Sequence, residues 1–218
     1  MSDKQLSSIP EPVLRRLVQY HYFLTKHKEL ENQLISSTTI AEHLNLESIL
    51  VRKDLQYTGL TGKSKTGWNV SELLEKIEEI LGWNNYRDVF LVGAGRLGST
   101  LLNYTGFKNY GINFIAAFDV DSNLIGTEIN GVKVLPINKL ANLAQRMHIH
   151  IGVITVPVNE AQMAADLLVE GGIMAIWNFA PVKLNVPDNI IVSNSQMAQE
   201  ISILVNKLTC KLKLNQEK

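Results

Sequence analysis

The apolar positions of this chain keep two different rhythms. Up to residue 82 they recur at helical spacing. Val13, Leu14, Leu17, Val18 and residues 20–24 follow an entry marked by Pro10 and Pro12, and a charged loop spans residues 26–33. Ile40, Ala41 and Leu44 follow Ser36 and Ser37, which offer an N-cap. Ile49, Leu50, Val51 and Leu55 lie on a third segment from Glu47 to about Tyr57. A fourth, residues 71–81, carries Leu73, Leu74, Ile77, Ile80 and Leu81, with Ser71 at its cap and Gly82 as its stop. The second and third helices are short and joined by a turn at Asn45-Leu46, the pattern of a helix-turn-helix. Residues 59–70 hold three glycines and two lysines before a strand-like end, which predicts a β-hairpin wing.

Beyond Gly82 short continuous apolar runs alternate with helical patterns, as in an α/β domain with a parallel sheet. A buried strand over 88–92 passes into Gly93-Ala94-Gly95-Arg96-Leu97-Gly98, a helix bearing Leu97, Leu101 and Leu102 follows, and a second strand over 114–118 closes at Asp119. The pattern then predicts a hairpin turn at Ile129-Asn130-Gly131-Val132, a helix over 137–147, a strand over 150–157 and a helix over 160–170 ended by Gly171-Gly172. Strands over 173–179 and 190–192 come next. A terminal helix over 195–213 carries Met197, Ile201, Leu204, Val205 and Leu208 on one stripe.

The chemistry concentrates at the glycines. G-x-G-x-x-G alone is a weak signal, because glycines gather at any strand-to-helix turn. Here it follows a strand, opens a helix, and has an acid 21 residues after Gly98. In a dinucleotide-binding βαβ unit the first glycine makes the tight turn, the second admits the pyrophosphate and the third lets helix pack on strand. An anion would rest on free N–H groups at the helix start. Asp119 would accept from a ribose 2′-hydroxyl and repel a 2′-phosphate, and no Arg or Lys follows it closely, which favours NAD(H) over NADP(H).

Composition narrows the rest. The 218 residues suffice for one large domain or two small ones, and 21 basic against 21 acidic residues give no net field to attract nucleic acid or an anionic membrane. Any such partner must be met by local clustering. Residues 1–82 carry ten basic and eleven acidic side chains, sorted by place: Arg52, Lys53, Lys63 and Lys65 stand against Asp54, whereas Glu72, Glu75, Glu78 and Glu79 follow on the next helix. A basic helix and wing would meet phosphates, with Arg52, Lys53 and Gln56 aimed at base edges; the alternative is a solvated face. A single cysteine, Cys210, excludes an internal disulfide, and the N-terminus lacks an apolar signal segment, so a cytoplasmic protein is expected. No metal site is expected.

Together these residues resemble the Rex family of redox-sensing transcriptional repressors over almost the whole chain. The matches are Ile9-Pro10-Glu11, Arg16-Leu17, Val51-Arg52-Lys53-Asp54-Leu55 with Tyr57, Gly59 and Gly62-Lys63, then Gly67-Trp68-Asn69-Val70, the run 93–98, Ala116-Ala117-Phe118-Asp119-Val120-Asp121, Thr155-Val156-Pro157 and Asn178-Phe179-Ala180-Pro181-Val182. The resemblance implies a winged helix-turn-helix domain over 1–82, a Rossmann NAD(H)-binding domain over 83–194 and a C-terminal domain-swapped helix over 195–218. It implies a homodimer that binds a palindromic operator when free or NAD⁺-bound and releases it when NADH binds.

By the same resemblance Gly93, Ala94, Gly95, Arg96, Leu97, Gly98 and Asp119 hold the pyrophosphate and adenosine. Tyr104, Thr155, Val156, Pro157, Asn178, Phe179, Ala180 and Pro181 attend the nicotinamide. Ser48, Arg52, Lys53, Gln56, Tyr57, Lys63 and Lys65 are the implied DNA contacts, and Arg16, Tyr104 and Gln196 the implied switch. Gln196 stands where the family has an Asp, Gln56 where it has Ser, Thr58 where Phe is common, and Lys183 where Arg is frequent. The wing reads Gly62-Lys63-Ser64-Lys65 in place of Gly-Lys-Arg-Gly. The rival reading is a small NAD-dependent oxidoreductase. Only 37 residues follow Pro181, too few for a substrate domain, and no acid-base pair stands at a proton-transfer spacing; His148 and His150 read as structural.

Overall fold

A computed structural model describes residues 9–27, 34–63, 67–85, 87–195 and 197–216. Two compact units emerge: Met1–Asn85 with Asn109–Gly111, and Tyr86–Lys108 with Ile112–Lys218.

In the first unit α1 (Glu11–His27) packs on α4 (Val70–Leu81), with α2 (Ser37–Leu44) and α3 (Ser48–Leu55) closing the same core. Leu17, Leu24, Ile40, Val51, Leu55, Leu73 and Ile77 are fully buried there, the positions at which the helical periodicity puts them. Ser36 caps α2 by accepting from the Thr39 N–H, and Asn45 ends it at φ 53. After α3 a 3-10 turn, Gln56–Thr58, stops at Gly59.

Three local expectations change. A two-residue strand, β1 (Leu34–Ile35), pairs antiparallel with β2 (Trp68–Asn69); a pair so short leaves no period to read. The cap of α4 is Asn69, whose side chain accepts from the Glu72 N–H. Asn69 closes β2 in an extended conformation, and that geometry, which Ser71 lacks inside the helix, is what a cap requires. The wing narrows to the Lys63–Gly67 bridge; Lys65 lies outside the described residues.

The second unit is a seven-stranded sheet in the order β5 (Glu128–Ile129), β6 (Val132–Pro136), β4 (Ile112–Asp119), β3 (Arg87–Val92), β7 (Ile151–Ile154), β8 (Ala175–Asn178), β9 (Ile191–Asn194). All neighbours run parallel except β5 with β6. That hairpin turns at Asn130 and Gly131, both at positive φ, as a two-residue loop of the favoured hand demands. The strand order reverses between β3 and β7, which opens a crevice at their carboxyl ends. Helices α5 (Arg96–Asn103), α6 (Leu140–Met147) and α7 (Val158–Glu170) complete the layers, α6 being shortened by the 3-10 turn Ile137–Lys139 behind Pro136. Strand β7 stops before Thr155 because Pro157, which has no N–H to give a ladder, sets the cap of α7.

The last element, α8 (Met197–Gln216), differs from the others. Ile201, Leu204, Val205, Leu208 and Leu212 are each more than half exposed. No helix among the described residues is long and apolar enough to cross a membrane.

Candidate nucleotide and nucleic-acid sites

The turn from β3 into α5 is built around three glycines with three different reasons. Gly93 has φ +97, and a Cβ there would stand 2.7 Å from Val156 Cγ1. At Gly98 a Cβ would lie 1.9 Å from the carbonyl oxygen of Gly93, so helix and turn touch only because Gly98 lacks one. At Gly95 a Cβ would meet nothing within 4 Å. The chain therefore keeps Gly95 open toward the crevice, and α5 starts there without a side-chain cap, its first N–H groups available to an anion. Arg96 is exposed at this start, and Leu97 is half-buried behind it.

Two side chains hold the turn. The Thr155 hydroxyl donates to the carbonyls of Val92 at 3.0 Å and Gly93 at 2.7 Å. Asp119 Oδ2 accepts from the Ala94 N–H at 2.6 Å, while Oδ1 accepts from the N–H groups of Val120 and Asp121. An ionised carboxylate offers about four lone-pair sites, so three donors leave one on Oδ2 for a ribose hydroxyl. A cleft of about 230 Å³ opens beside it, bordered by Gly93, Gly95, Asp119, Thr155, Val156 and Pro157. Leu124, Ile137 and Met163 supply an apolar wall. These three were not anticipated; the only signal for Leu124 and Ile137 is that each follows a strand bordering the crevice.

The structure does not bring the other candidates into this cleft. Asn178 is fully buried, and its side-chain amide is spent on the chain itself. Its Nδ2 lies within 3.0 Å of the Ala180 and Val182 carbonyls and Asn194 Oδ1, and its Oδ1 accepts from the Ala180 N–H. It is a bracket that shapes the turn over Phe179, Ala180 and Pro181, and those three border a separate hollow next to the start of α8. Tyr104 caps the far end of α5, about 12 Å from the glycine turn at 1.5 Å per residue. It is half exposed and reaches Phe179 only through a relay of rings, Tyr104 on Phe107, Phe107 on Trp177 and Trp177 on Phe179, with centroids 4.5 to 5.9 Å apart. Phe107 and Trp177 were unanticipated, since their contact joins positions 70 residues apart.

In the first unit a hollow of about 640 Å³ gathers Arg52, Gln56 and Lys63 with Ser36, Ser37 and Thr38 at the start of α2. No acid borders it. The base of the hollow is closely packed: Trp68 lies over Gly62 and donates from Nε1 to the Leu60 carbonyl, and Gly67 approaches the Ile35 carbonyl where no side chain would fit. Ser48, Lys53 and Tyr57 do not border the hollow; Ser48 is half-buried at the start of α3, and Lys53 and Tyr57 are exposed on α3 and the turn after it.

Arg16 is held within the first unit. Its Nε and Nη2 grip both oxygens of Asp54 at 2.6 and 2.8 Å, and the Tyr20 hydroxyl donates to Asp54 Oδ2 at 2.6 Å. Asp54 is sealed. Its hydrogen bond holds the Arg16 guanidinium protonated beyond its ordinary range, and burial, then the same carboxylate, pushes the Tyr20 hydroxyl up. Gln196 lies outside the described residues.

Known proteins match both halves. A family described as CoA binding domain matches residues 84–182, and one described as putative DNA-binding protein N-terminus matches residues 8–56. The redox-sensing transcriptional repressor Rex of Bacteroides thetaiotaomicron is 36% identical, over 93% of this chain and 92% of its own. That of Treponema denticola is 42% identical, over 88% and 92%. A crystal structure of RSP in complex with β-NAD⁺ and operator DNA superposes with a TM-score of 0.88 at 33% identity, covering 95% of this chain and 96% of RSP. RSP with β-NADH gives 0.85 at 32%, covering 97% and 99%. On this identity, sustained across nearly its full length, the chain belongs to the Rex family of redox-sensing transcriptional repressors.

Proposed function

We propose that this protein represses transcription by binding operator DNA through residues 1–82 and reads the NADH/NAD⁺ ratio through residues 83–194, with residues 195–218 joining two copies. It is a regulator and not an enzyme. The observation that carries the reading is the crevice at the strand-order reversal, with an open Gly95, an uncapped helix start and one vacant acceptor on Asp119. The residues present fit a dinucleotide: Gly93 to Gly98 take the pyrophosphate, Asp119 the adenosine ribose, and Leu124, Ile137 and Met163 the adenine. Thr155, Val156 and Pro157 lead toward the nicotinamide end, where Phe179, Ala180 and Pro181 stand, shaped by Asn178. Tyr104 takes part through the ring relay that ends at Phe179. When bound, the nicotinamide supplies the redox signal as a cation or an uncharged reduced ring.

On the DNA side, Arg52 and Gln56 face the groove, Lys63 and Lys65 meet phosphates, and Ser48, Lys53 and Tyr57 extend the footprint. The exposed stripe of α8 supports a homodimer that exchanges this helix, and a two-fold dimer reads a palindrome. NADH must bind the DNA-incompetent arrangement more tightly than the competent one, since a ligand of equal affinity shifts nothing. Operator DNA must then weaken NADH binding by the factor by which NADH weakens DNA binding.

Selection from random duplexes at fixed salt, with no nucleotide, NAD⁺ or NADH, tests the reading. The expected result is a palindrome that NADH alone releases. Selection that NADH leaves intact would keep the repressor and remove the redox switch, with Gln196 the first residue to exchange for Asp.

A further inference from the structure

The cleft beside the glycine turn holds a charged group that neither the turn nor the packing employs. Glu160 is half-buried and borders the cleft, yet its side chain makes no hydrogen bond and no ion pair among the described residues. It is the third residue of α7, where the helix dipole favours an acid, but a carboxylate that served the dipole alone would need no burial. Residues three and four positions on share its face of the helix, and these are Met163 and Ala164, which border the cleft as well. The carboxylate therefore stands at the edge of the apolar wall that Met163 makes with Leu124 and Ile137.

The other polar side chains of the cleft are committed. The Thr155 hydroxyl is held by two carbonyls, and Asp119 accepts from three N–H groups. Asp121 is exposed, and its Oδ1 accepts from the backbone N–H and Nδ2 of Asn123, both at 2.9 Å. No basic side chain among the described residues borders the cleft to neutralise Glu160. A flat base laid on the apolar wall would strip water from this carboxylate, which is costly unless a donor takes the water's place. Adenine brings one. Its 6-amino group donates, whereas its ring nitrogens only accept.

We propose that Glu160 reads the base of the dinucleotide, accepting a hydrogen bond from the 6-amino group of adenine. The inference rests on the dinucleotide reading of this cleft and deepens it: Asp119 selects the ribose and Glu160 the base. Apolar contact with Leu124, Ile137 and Met163 admits any flat ring, so the acceptor at position 160 supplies the discrimination that the wall lacks.

Calorimetry on the full-length protein tests it with two ligands, NADH and reduced nicotinamide purine dinucleotide, which carries hydrogen in place of the 6-amino group. Wild type should bind NADH roughly tenfold more tightly or better, as one hydrogen bond to a charged group allows. Glu160→Gln keeps the shape and can turn its oxygen to the amine or its NH₂ to a ring nitrogen, so the ratio should fall to about twofold. Glu160→Ala, a good helix former that offers neither, should bring it to about one. Asp121→Asn keeps an oxygen for the two Asn123 donors and should leave the wild-type ratio unchanged. A wild type that bound both dinucleotides equally would overturn the proposal, as would variants at 160 that lowered the melting temperature and kept the ratio, since Glu160 would then serve only the start of α7. A ratio that moved in Asp121→Asn and not in the variants at 160 would overturn it in favour of Asp121. A wild-type protein that bound neither dinucleotide would overturn the nucleotide reading and the role of Glu160 with it.

Discussion

Asp54 in the first unit and Asp119 in the second each accept three hydrogen bonds, and they do opposite work. The donors to Asp54 are the side chains of Arg16 and Tyr20, both on α1, and the carboxylate they surround is sealed. The donors to Asp119 are backbone N–H groups of two loops, and the carboxylate borders a cleft. Asp54 clamps one helix to another and, being sealed, turns no lone pair toward a ligand. Asp119 shapes the glycine turn and keeps one acceptor outward. The difference between a structural and a binding carboxylate here is where the unused lone pair faces, with the number of partners equal.

The comparison is broken most forcefully at Asp54. Asp54→Asn leaves the Arg16 guanidinium, about a fifth exposed, without its counter-charge, and it offers an NH₂ where one of the donors now points. Breaking one side of such a pair should cost about 3 kcal/mol. Denaturant titration of the whole protein should show the first unit melting early while NADH binding by the second persists. A loss below about 1 kcal/mol would mean that the pair behaves as a surface ion pair and that the clamp is dispensable.

Asp54 also shows what the sequence conceals. It reads as one acid amid basic residues on a DNA-facing helix, and its partners lie 34 and 38 positions away. The apolar stripe of α3 locates the buried face, but Asp54 is a polar residue on that face, and only the fold shows that Arg16 and Tyr20 complete it. The second unit is more legible because its site is local: strand, glycine turn, helix, strand and acid lie within 33 consecutive residues, 87–119. Legibility fails there too once contacts become long-range. Thr155 reaches back 62 residues to the Gly93 carbonyl, Asn178 turns inward onto its own loop, and Phe107 meets Trp177 across the sheet. Residues that act through neighbours in sequence are visible as motifs, and those that act across the fold are not.

A smaller effect is expected at the glycine turn. Gly98→Ala would drive a methyl into the Gly93 carbonyl, 1.9 Å away, and separation of α5 from β3 should cost about 2 kcal/mol. NADH affinity measured by calorimetry should fall on the order of thirtyfold, whereas the nucleotide-free protein should bind DNA as before. If DNA binding fell equally, the turn would be supporting the whole fold and not the nucleotide site in particular.

Asp119→Asn is the finest cut, because it keeps shape while removing the charge and the ability to accept on both oxygens. An amide has one oxygen. Placed toward Val120 and Asp121, it turns its NH₂ on the Ala94 N–H, and flipped it turns the NH₂ on the other two. Either way a donor faces a donor, and the lone pair meant for ribose is lost or redirected. The expected cost is about 1 to 2 kcal/mol in NADH binding, roughly a five- to thirtyfold weakening. Asp119→Arg should go further and favour NADPH, since the carboxylate that repels a 2′-phosphate is replaced by a cation that meets it. Unchanged affinity in Asn with unchanged preference in Arg would make Asp119 a brace for the turn and nothing more, a second Asp54. Weakened affinity in both with preference moving only in Arg would separate bracing, which requires two acceptors, from preference, which would then follow the introduced cation and not the loss of the carboxylate charge.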